Sequence, residues 1–308
     1  MHMKILVTGG CGFIGSHIVD AYIAKGHEVV VIDDLSTGNI NNLNPKAKFY
    51  EEDINGNIEA IFKKEKFELI NHHAAQINVR TSVDDPIHDA RVNVIGTLNL
   101  LHLASKHGIR RFIYASSGGA VYGEPEEFPI GENERLNPLS PYGTSKVAAE
   151  RYIITFANLY DMQYVILRYS NVYGPRQIVK SEAGVISIFI DRILRNEPCL
   201  IYGDGKQLRD YVYVGDVVEA NVFAIDCDSN LFNIGTSIET SVNDLIDMFS
   251  SILRKDVAHK HVEPRPGEVF RNVLDFSRAH AEISWQPKVK LRAGILKTFE
   301  YFKEISKS

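Results

Sequence analysis

Thr8-Gly9-Gly10-Cys11-Gly12-Phe13-Ile14-Gly15 decides the fold of this chain. Lys4 to Thr8 before it is short and apolar, and Ile14 to Lys25 after it has apolar residues at helical spacing. A glycine-rich turn between a strand and a helix is the setting in which a phosphate-binding fingerprint is credible. Gly9, Gly12 and Gly15 permit the tight turn and let backbone N–H groups approach a pyrophosphate, whose charge sits on the helix N-terminus. A plain strand-to-helix turn is the competing reading, and it has no need of four glycines in seven residues. The next apolar run, Glu28 to Ile32, closes on Asp33-Asp34. A carboxylate at the end of a second strand accepts hydrogen bonds from an adenosine ribose and repels a 2′-phosphate. No arginine stands nearby to bind one, so NAD is expected rather than NADP.

Outward from the loop, Leu69 to His73, Phe112 to Ser116 and Val165 to Arg168 are further buried-strand candidates, with a helical stretch over Val92 to His107. Strands alternating with helices predict an α/β fold: a Rossmann-type doubly wound parallel sheet over residues 1–174. Beyond that, prolines and glycines cluster between shorter helices such as Ile186 to Arg195 and Val242 to Leu253. Residues 175–308 are expected to form a smaller region over the carboxyl ends of the strands, with short strands free to return to the first domain. Tyr211 to Val214 and Leu231 to Ile234 read as strands of unassigned sheet.

The 308 residues carry a net charge of -5, which argues against a nucleic-acid footprint. Three scattered cysteines show neither metal spacing nor a disulfide pattern, and a cytoplasmic protein is expected. No membrane span or signal peptide is read.

Tyr142-Gly-Thr-Ser-Lys146 carries the chemistry. Pro141 before it and Ala148, Ala149 and Glu150 after it place it in an opening helix. Residues four apart share a helix face, so an ammonium lies beside a phenol and is expected to pull its pKa toward working pH. That suits a general base. Tyr202 and Lys206 have the same spacing, but Gly203-Asp204-Gly205 between them reads as a turn.

In order, the glycine loop, Asp33, Asp53-Ile54, Asn93, Ser116-Ser117, Tyr142 and Lys146 resemble the extended short-chain dehydrogenases/reductases. Arg168-Tyr-Ser-Asn-Val-Tyr-Gly174 and Arg209-Asp-Tyr211 narrow the likeness to nucleotide-sugar-modifying members, above all the UDP-glucose 4-epimerase family. The resemblance implies bound NAD, a UDP-sugar substrate and a homodimer built through two helices per subunit. It assigns Phe13, Ile14, Asp33, Asp34, Asp53, Ile54, Ala74, Ala75, Asn93, Tyr142, Lys146 and Tyr169 to NAD. Asn171, Val185, Leu200, Tyr202, Arg209, Arg265, Glu268 and Asn272 fall to the UDP-sugar. Asp53 also reads as a helix N-cap, Asn93 as a brace and Asn272 as a solvent-facing strand residue.

Two departures stand out. Relatives carry a third hydroxyl where this chain has Gly118, so Ser117 is the expected substitute, with Ser116 behind it. Gln76-Ile77 replaces a lysine near the nicotinamide ribose. UDP-glucuronate and UDP-N-acetylglucosamine 4-epimerases are the alternatives, Arg80 favouring the former. A 4,6-dehydratase would need an acidic pair where Gly119-Ala120 stands. A redox-silent NAD-binding regulator would lack the tyrosine base.

Overall fold

The computed structural model describes residues 2–178, 184–264 and 269–306. Six strands build the first half: β1 (Lys4–Thr8), β2 (Glu28–Asp33), β3 (Lys48–Glu51), β4 (Leu69–His72), β5 (Arg111–Ser117) and β6 (Gln163–Tyr169). Between them lie α1 (Phe13–Ala24), α2 (Glu59–Glu65), α3 (Val79–Asp84), α4 (Pro86–Ala90), a π-helical turn over Arg91–Ile95, α5 (Gly96–Lys106), α6 (Gly118–Val121) and α7 (Pro141–Tyr160). The second half runs β7 (Asn171–Tyr173), α8 (Val185–Leu194), β8 (Cys199–Tyr202), β9 (Leu208–Arg209), β10 (Tyr211–Tyr213), α9 (Val214–Ala224) and β11 (Asn230–Ile234). It closes with β12 (Thr240–Ser241), α10 (Val242–Leu253), β13 (His259–Val262), β14 (Arg271–Asn272), α11 (Ser277–Ile283) and α12 (Leu291–Ile305).

The main sheet has the order β11-β6-β5-β4-β1-β2-β3 with every pair parallel. Alternation along each strand divides its apolar residues between two cores. Ile5, Val7, Val29 and Val31 pack with Ile18 and Tyr22 of α1 and Val217 of α9. Leu6, Val30 and Ile32 pack on the other face with Phe62, Leu100 and Ile153. Burial on both faces is why these strands read as unbroken apolar runs. The order reverses between β1 and β4, and the crevice at their carboxyl ends is where ligands bind in such sheets. A third core joins α8, α10 and α12 through Phe189, Phe249 and Phe302.

The structure adds to the sequence reading. Lys48–Glu51 is a strand at the sheet edge, and the Val92 helix begins with the π-helical turn. Leu231 to Ile234 joins the main sheet beside β6, and Tyr211–Tyr213 pairs in parallel with β7. Among the described residues no helix is long and apolar enough to cross a membrane, and no three His, Cys, Asp or Glu side chains gather as metal ligands.

Candidate active site

The glycine loop is packed too tightly for side chains. Gly9 has φ +68°, and a Cβ there would meet Ala74 N at 2.7 Å. A Cβ on Gly15 would lie 2.1 Å from Gly9 O. Thr8 Oγ1 accepts from His73 N and Ala74 N, each at 3.2 Å, which fixes the end of β4 against the loop. Gly12 starts α1 without a side-chain cap, so the N–H groups of Phe13 and Ile14 are left for an anion. Asp33 is buried; its Oδ2 accepts from Cys11 N and its Oδ1 from Leu35 N, both at 2.9 Å. Burial pushes this carboxyl above its ordinary value, and the two N–H donors oppose the rise. A glycine cradle, an uncapped helix N-terminus and an anchored carboxylate fit a dinucleotide.

Other cofactor expectations are more mixed. Asp34 is exposed and turns its carboxylate onto Ser36 N and Oγ. Asp53 is not a helix N-cap: α2 starts only at Glu59, and Asp53 Oδ1 accepts from Asn55 N at 2.8 Å in an exposed turn. Ile54 is buried in the second core, against Gly96. Ala74 and Ala75 follow β4, half-buried beside the loop. Tyr169 is held by two partners: Asn221 Nδ2 donates to its hydroxyl at 2.8 Å, and His73 Nε2 shares a hydrogen bond with it at 3.1 Å. Gly203 and Gly205, at φ +69° and +73°, make the predicted turn between Tyr202 and Lys206.

Ser140 opens α7 by accepting from Gly143 N at 3.1 Å, with Pro141 in the first turn. That cap sets Tyr142 and Lys146 one turn apart beneath β5. Lys146 is buried; its Nζ donates to Ala115 O at 3.0 Å and sits 4.9 Å from the Tyr114 ring centroid. Ser117, at the end of β5, lies close enough to the Tyr142 hydroxyl to favour its ionised form. Burial pushes Tyr142 up to about 12, against the pull of Ser117. Burial also pushes Lys146 down to about 8. The expectation that Lys146 brings Tyr142 toward working pH is therefore not met by the chain alone. The ammonium lies 5.9 Å from the Tyr142 ring centroid and spends its hydrogen bond on a carbonyl.

Ser116 does not stand behind Ser117 in the site. Adjacent strand residues point to opposite faces, and Ser116 Oγ donates to Glu150 Oε1 at 2.5 Å. Glu150 is in turn clamped by Arg168 through two hydrogen bonds at 2.9 and 2.6 Å. A Cβ on Gly118 would meet Leu274 Cδ1 at 2.5 Å, so any side chain there must displace that leucine. Ser117→Ala should accordingly lower turnover roughly ten- to a hundredfold, and Ser116→Ala far less. Steady-state rates on one UDP-sugar decide this; equal small effects would remove Ser117 from its role.

Asn93 is a buried brace. Its Nδ2 lies within 3.1 Å of Gln76 O, Asp89 Oδ1 and Ser145 Oγ, while Oδ1 accepts from Gln76 N at 3.0 Å. The Gln76 segment, α4 and α7 thus meet at one amide.

Among the substrate residues, Asn171, Arg209 and Asn272 are brought together around Asp210. Asn171 N donates to Asp210 O at 3.0 Å, and Asp210 N to Asn272 O at 3.1 Å. Arg209 pairs with Asn272 across β9 and β14, its Nη1 donating to Leu208 O and Phe270 O. Asn272 does not face solvent: it is 2% exposed, and its Nδ2 donates to Gly118 O at 3.1 Å. Its Oδ1 has no hydrogen-bond partner. Val185, Leu200 and Tyr202 belong to the separate α8–β8 unit and are half-buried. Arg80 is an exposed residue of α3. Arg265 and Glu268 lie outside the described residues. Sequence reasoning passed over Asp89, and met Gln76 only as a departure from relatives and Asp210 only within a motif, because their contacts join distant segments.

A dinucleotide-binding sheet with a Tyr, Ser and Lys gathered at its carboxyl edge defines the class of extended short-chain dehydrogenases/reductases. Residues 5–235 match the profile of the NAD dependent epimerase/dehydratase family, and the chain belongs to that family. It is 49% identical over 304 residues to a putative UDP-glucose 4-epimerase from Methanocaldococcus jannaschii, covering 97% of this chain and 98% of that one. The crystal structure of UDP-glucose 4-epimerase with UDP-glucose from Thermotoga maritima superposes with a TM-score of 0.97 at 46% identity, covering 99% and 100% of the two chains. The Thermus thermophilus UDP-glucose 4-epimerase complex with NAD gives 0.93 at 39%, covering 98% and 99%.

Proposed function

We propose that this chain is an NAD-dependent UDP-glucose 4-epimerase, inverting C4 of a UDP-hexose through a transient 4-keto sugar. The observation that carries the reading is the placing of Tyr142 and the buried Lys146 one turn apart on α7, with Lys146 bound to Ala115 O two residues before Ser117. NAD, when bound, supplies the acceptor and donor of hydride. Tyr142 takes the proton of the C4 hydroxyl and gives it back on the return. Ser117 keeps a hydrogen bond on the reacting oxygens throughout. Lys146 contributes positive charge beneath the tyrosine and braces the end of β5 through Ala115 O.

In this reading residues 1–174 hold NAD, and residues 175–308 mainly hold the UDP-sugar. Arg209 and Arg265 are assigned to the diphosphate, because a planar guanidinium matches phosphate oxygens in an otherwise acidic protein. Val185, Leu200 and Tyr202 are assigned to the nucleotide, and Asn171 and Glu268 to the sugar side. A homodimer is supported by apolar residues left exposed on adjoining helices: Val83 and Ile87 on α3 and α4, and Tyr152 and Leu159 on α7. Three free cysteines suit a reducing cytoplasm, and the reaction would serve galactose metabolism.

The test is incubation with a panel of UDP-hexoses, UDP-glucuronate and UDP-N-acetylhexosamines, with products read by NMR. Appearance of UDP-galactose from UDP-glucose is expected; elimination products, or net consumption of NAD, would overturn the reading. The same panel tests the sugar's C2 side. Asn272 is small, and its Oδ1 is buried without a partner, so an acetamido N–H would reach it only after neighbouring side chains move. UDP-N-acetylglucosamine should turn over, and Asn272→Tyr should suppress it at least tenfold more than UDP-glucose. Equal loss on both substrates would remove Asn272 as the gate.

A further inference from the structure

Asp89 is a carboxylate inside the site that the chemistry above does not use. It is 1% exposed on α4, a helix that packs directly on α7. Its Oδ1 accepts from Gln76 Nε2 at 2.8 Å and from Asn93 Nδ2 at 3.1 Å. That same Asn93 nitrogen lies 3.1 Å from Ser145 Oγ, which donates to Tyr142 O at 2.9 Å. One shared amide therefore separates Asp89 from the turn of α7 between Tyr142 and Lys146.

Buried charge persists only where something compensates it. The side-chain donors to Asp89 are neutral amides, and the acceptor for Lys146 is a neutral carbonyl. Each thus lacks a compensating charge within its own hydrogen bonds. The other carboxylate near Lys146, Glu150 on α7, is already matched by the bidentate Arg168. The remaining groups facing Lys146 are His72 and His73 at the end of β4, Tyr114 on β5 and Tyr142 on α7. Burial disfavours the charged form of each. Among the described residues Asp89 is the anion left over, and it acts on Lys146 without a direct ion pair.

We propose that Asp89 is the counter-charge of Lys146, a positioning residue that keeps the ammonium charged and sets the pH range in which Tyr142 and Lys146 work together. The directions of titration agree. Asp89 is the first of two charges that raise Lys146 against its burial, ahead of Glu150, and it also raises Tyr142. Asparagine at 89 can still accept from Gln76 and Asn93 through its carbonyl, so Asp89→Asn removes charge and little else.

The proposal rests on the epimerase reading for its rate measurement only. In the NAD-loaded full chain, Asp89→Asn should move both limbs of the kcat–pH profile to lower pH by about one unit. Both pKa values fall when the anion that raised them is gone. Loss of a mere brace would lower kcat at every pH without moving the profile. Thermal unfolding of Lys146→Met, Asp89→Asn and the double variant gives a second readout that needs no turnover. Lys146→Met should destabilise the chain by isolating a buried anion, and adding Asp89→Asn should recover part of the loss. Should Asp89→Asn alone not fold, the double variant still should. An unmoved profile, additive losses of Tm, or a double variant that also fails to fold would overturn the proposal. If the chain turns over no UDP-sugar, the unfolding cycle still decides the pairing.

Discussion

Tyr142→Phe is expected to lower epimerisation by about a hundredfold to ten-thousandfold, the share of rate that a positioned proton carrier supplies. The reason is geometric. The hydroxyl removed is the one beside Ser117, and no other ionisable group on that turn of α7 but Lys146, whose Nζ is bound to Ala115 O, could take its place. Bound dinucleotide should stay with the protein, because the cradle of Gly9, Gly12 and Gly15 and the Asp33 carboxylate do not touch that hydroxyl. Turnover on UDP-glucose, and absorbance of the cofactor released on denaturation, measure the two halves separately. Near-normal turnover would remove the base assignment; loss of cofactor with it would mean that Tyr142 acts in binding.

Gly15→Ala is expected to empty the cofactor site. Its Cβ would stand 2.1 Å from Gly9 O and 2.9 Å from Gly9 C, both backbone atoms that cannot rotate away. The loop must open or α1 must shift, and either spoils the cradle for a pyrophosphate. Overpacking of this kind also costs about 1–3 kcal/mol of stability. Purified Gly15→Ala should carry no dinucleotide and melt earlier than wild type. Gly131→Ala, where nothing lies within 4 Å of the new Cβ, should change neither. Full cofactor occupancy in Gly15→Ala would show that the loop is not the pyrophosphate site.

The doubly wound sheet was legible because β1, β2, β4, β5 and β6 are buried on both faces and so appear as uninterrupted apolar runs. β3 was not, because Lys48–Glu51 lies at the edge with half-exposed side chains and no apolar run to show. The partner of Leu231 to Ile234 was hidden for another reason: pairing with β6 depends on how α9 packs against α1, which no local pattern encodes. Tyr142 and Lys146 announced themselves through spacing and a helix start. The opposite facing of Ser116 and Ser117 was available from strand alternation alone, had β5 been carried through to Ser117. Asp89 had no such signal. Within Asp84-Asp85-Pro86-Ile87-His88-Asp89 it looks like a solvated charged face, and only the packing of α4 on α7 buries it.

Gly118 and Leu274 have a consequence for how such a site can change over generations. Leu274 is wholly buried, and it occupies the space that any side chain at 118 would need. A hydroxyl at 118 requires the Leu274 side chain to shift, and shrinking Leu274 first leaves a void with nothing to fill it. The two positions are therefore coupled: the effect of a side chain at 118 depends on what stands at 274. A leucine far along the chain thus bears on whether residue 118 can carry a hydroxyl, so the order in which the two positions are changed matters to the result.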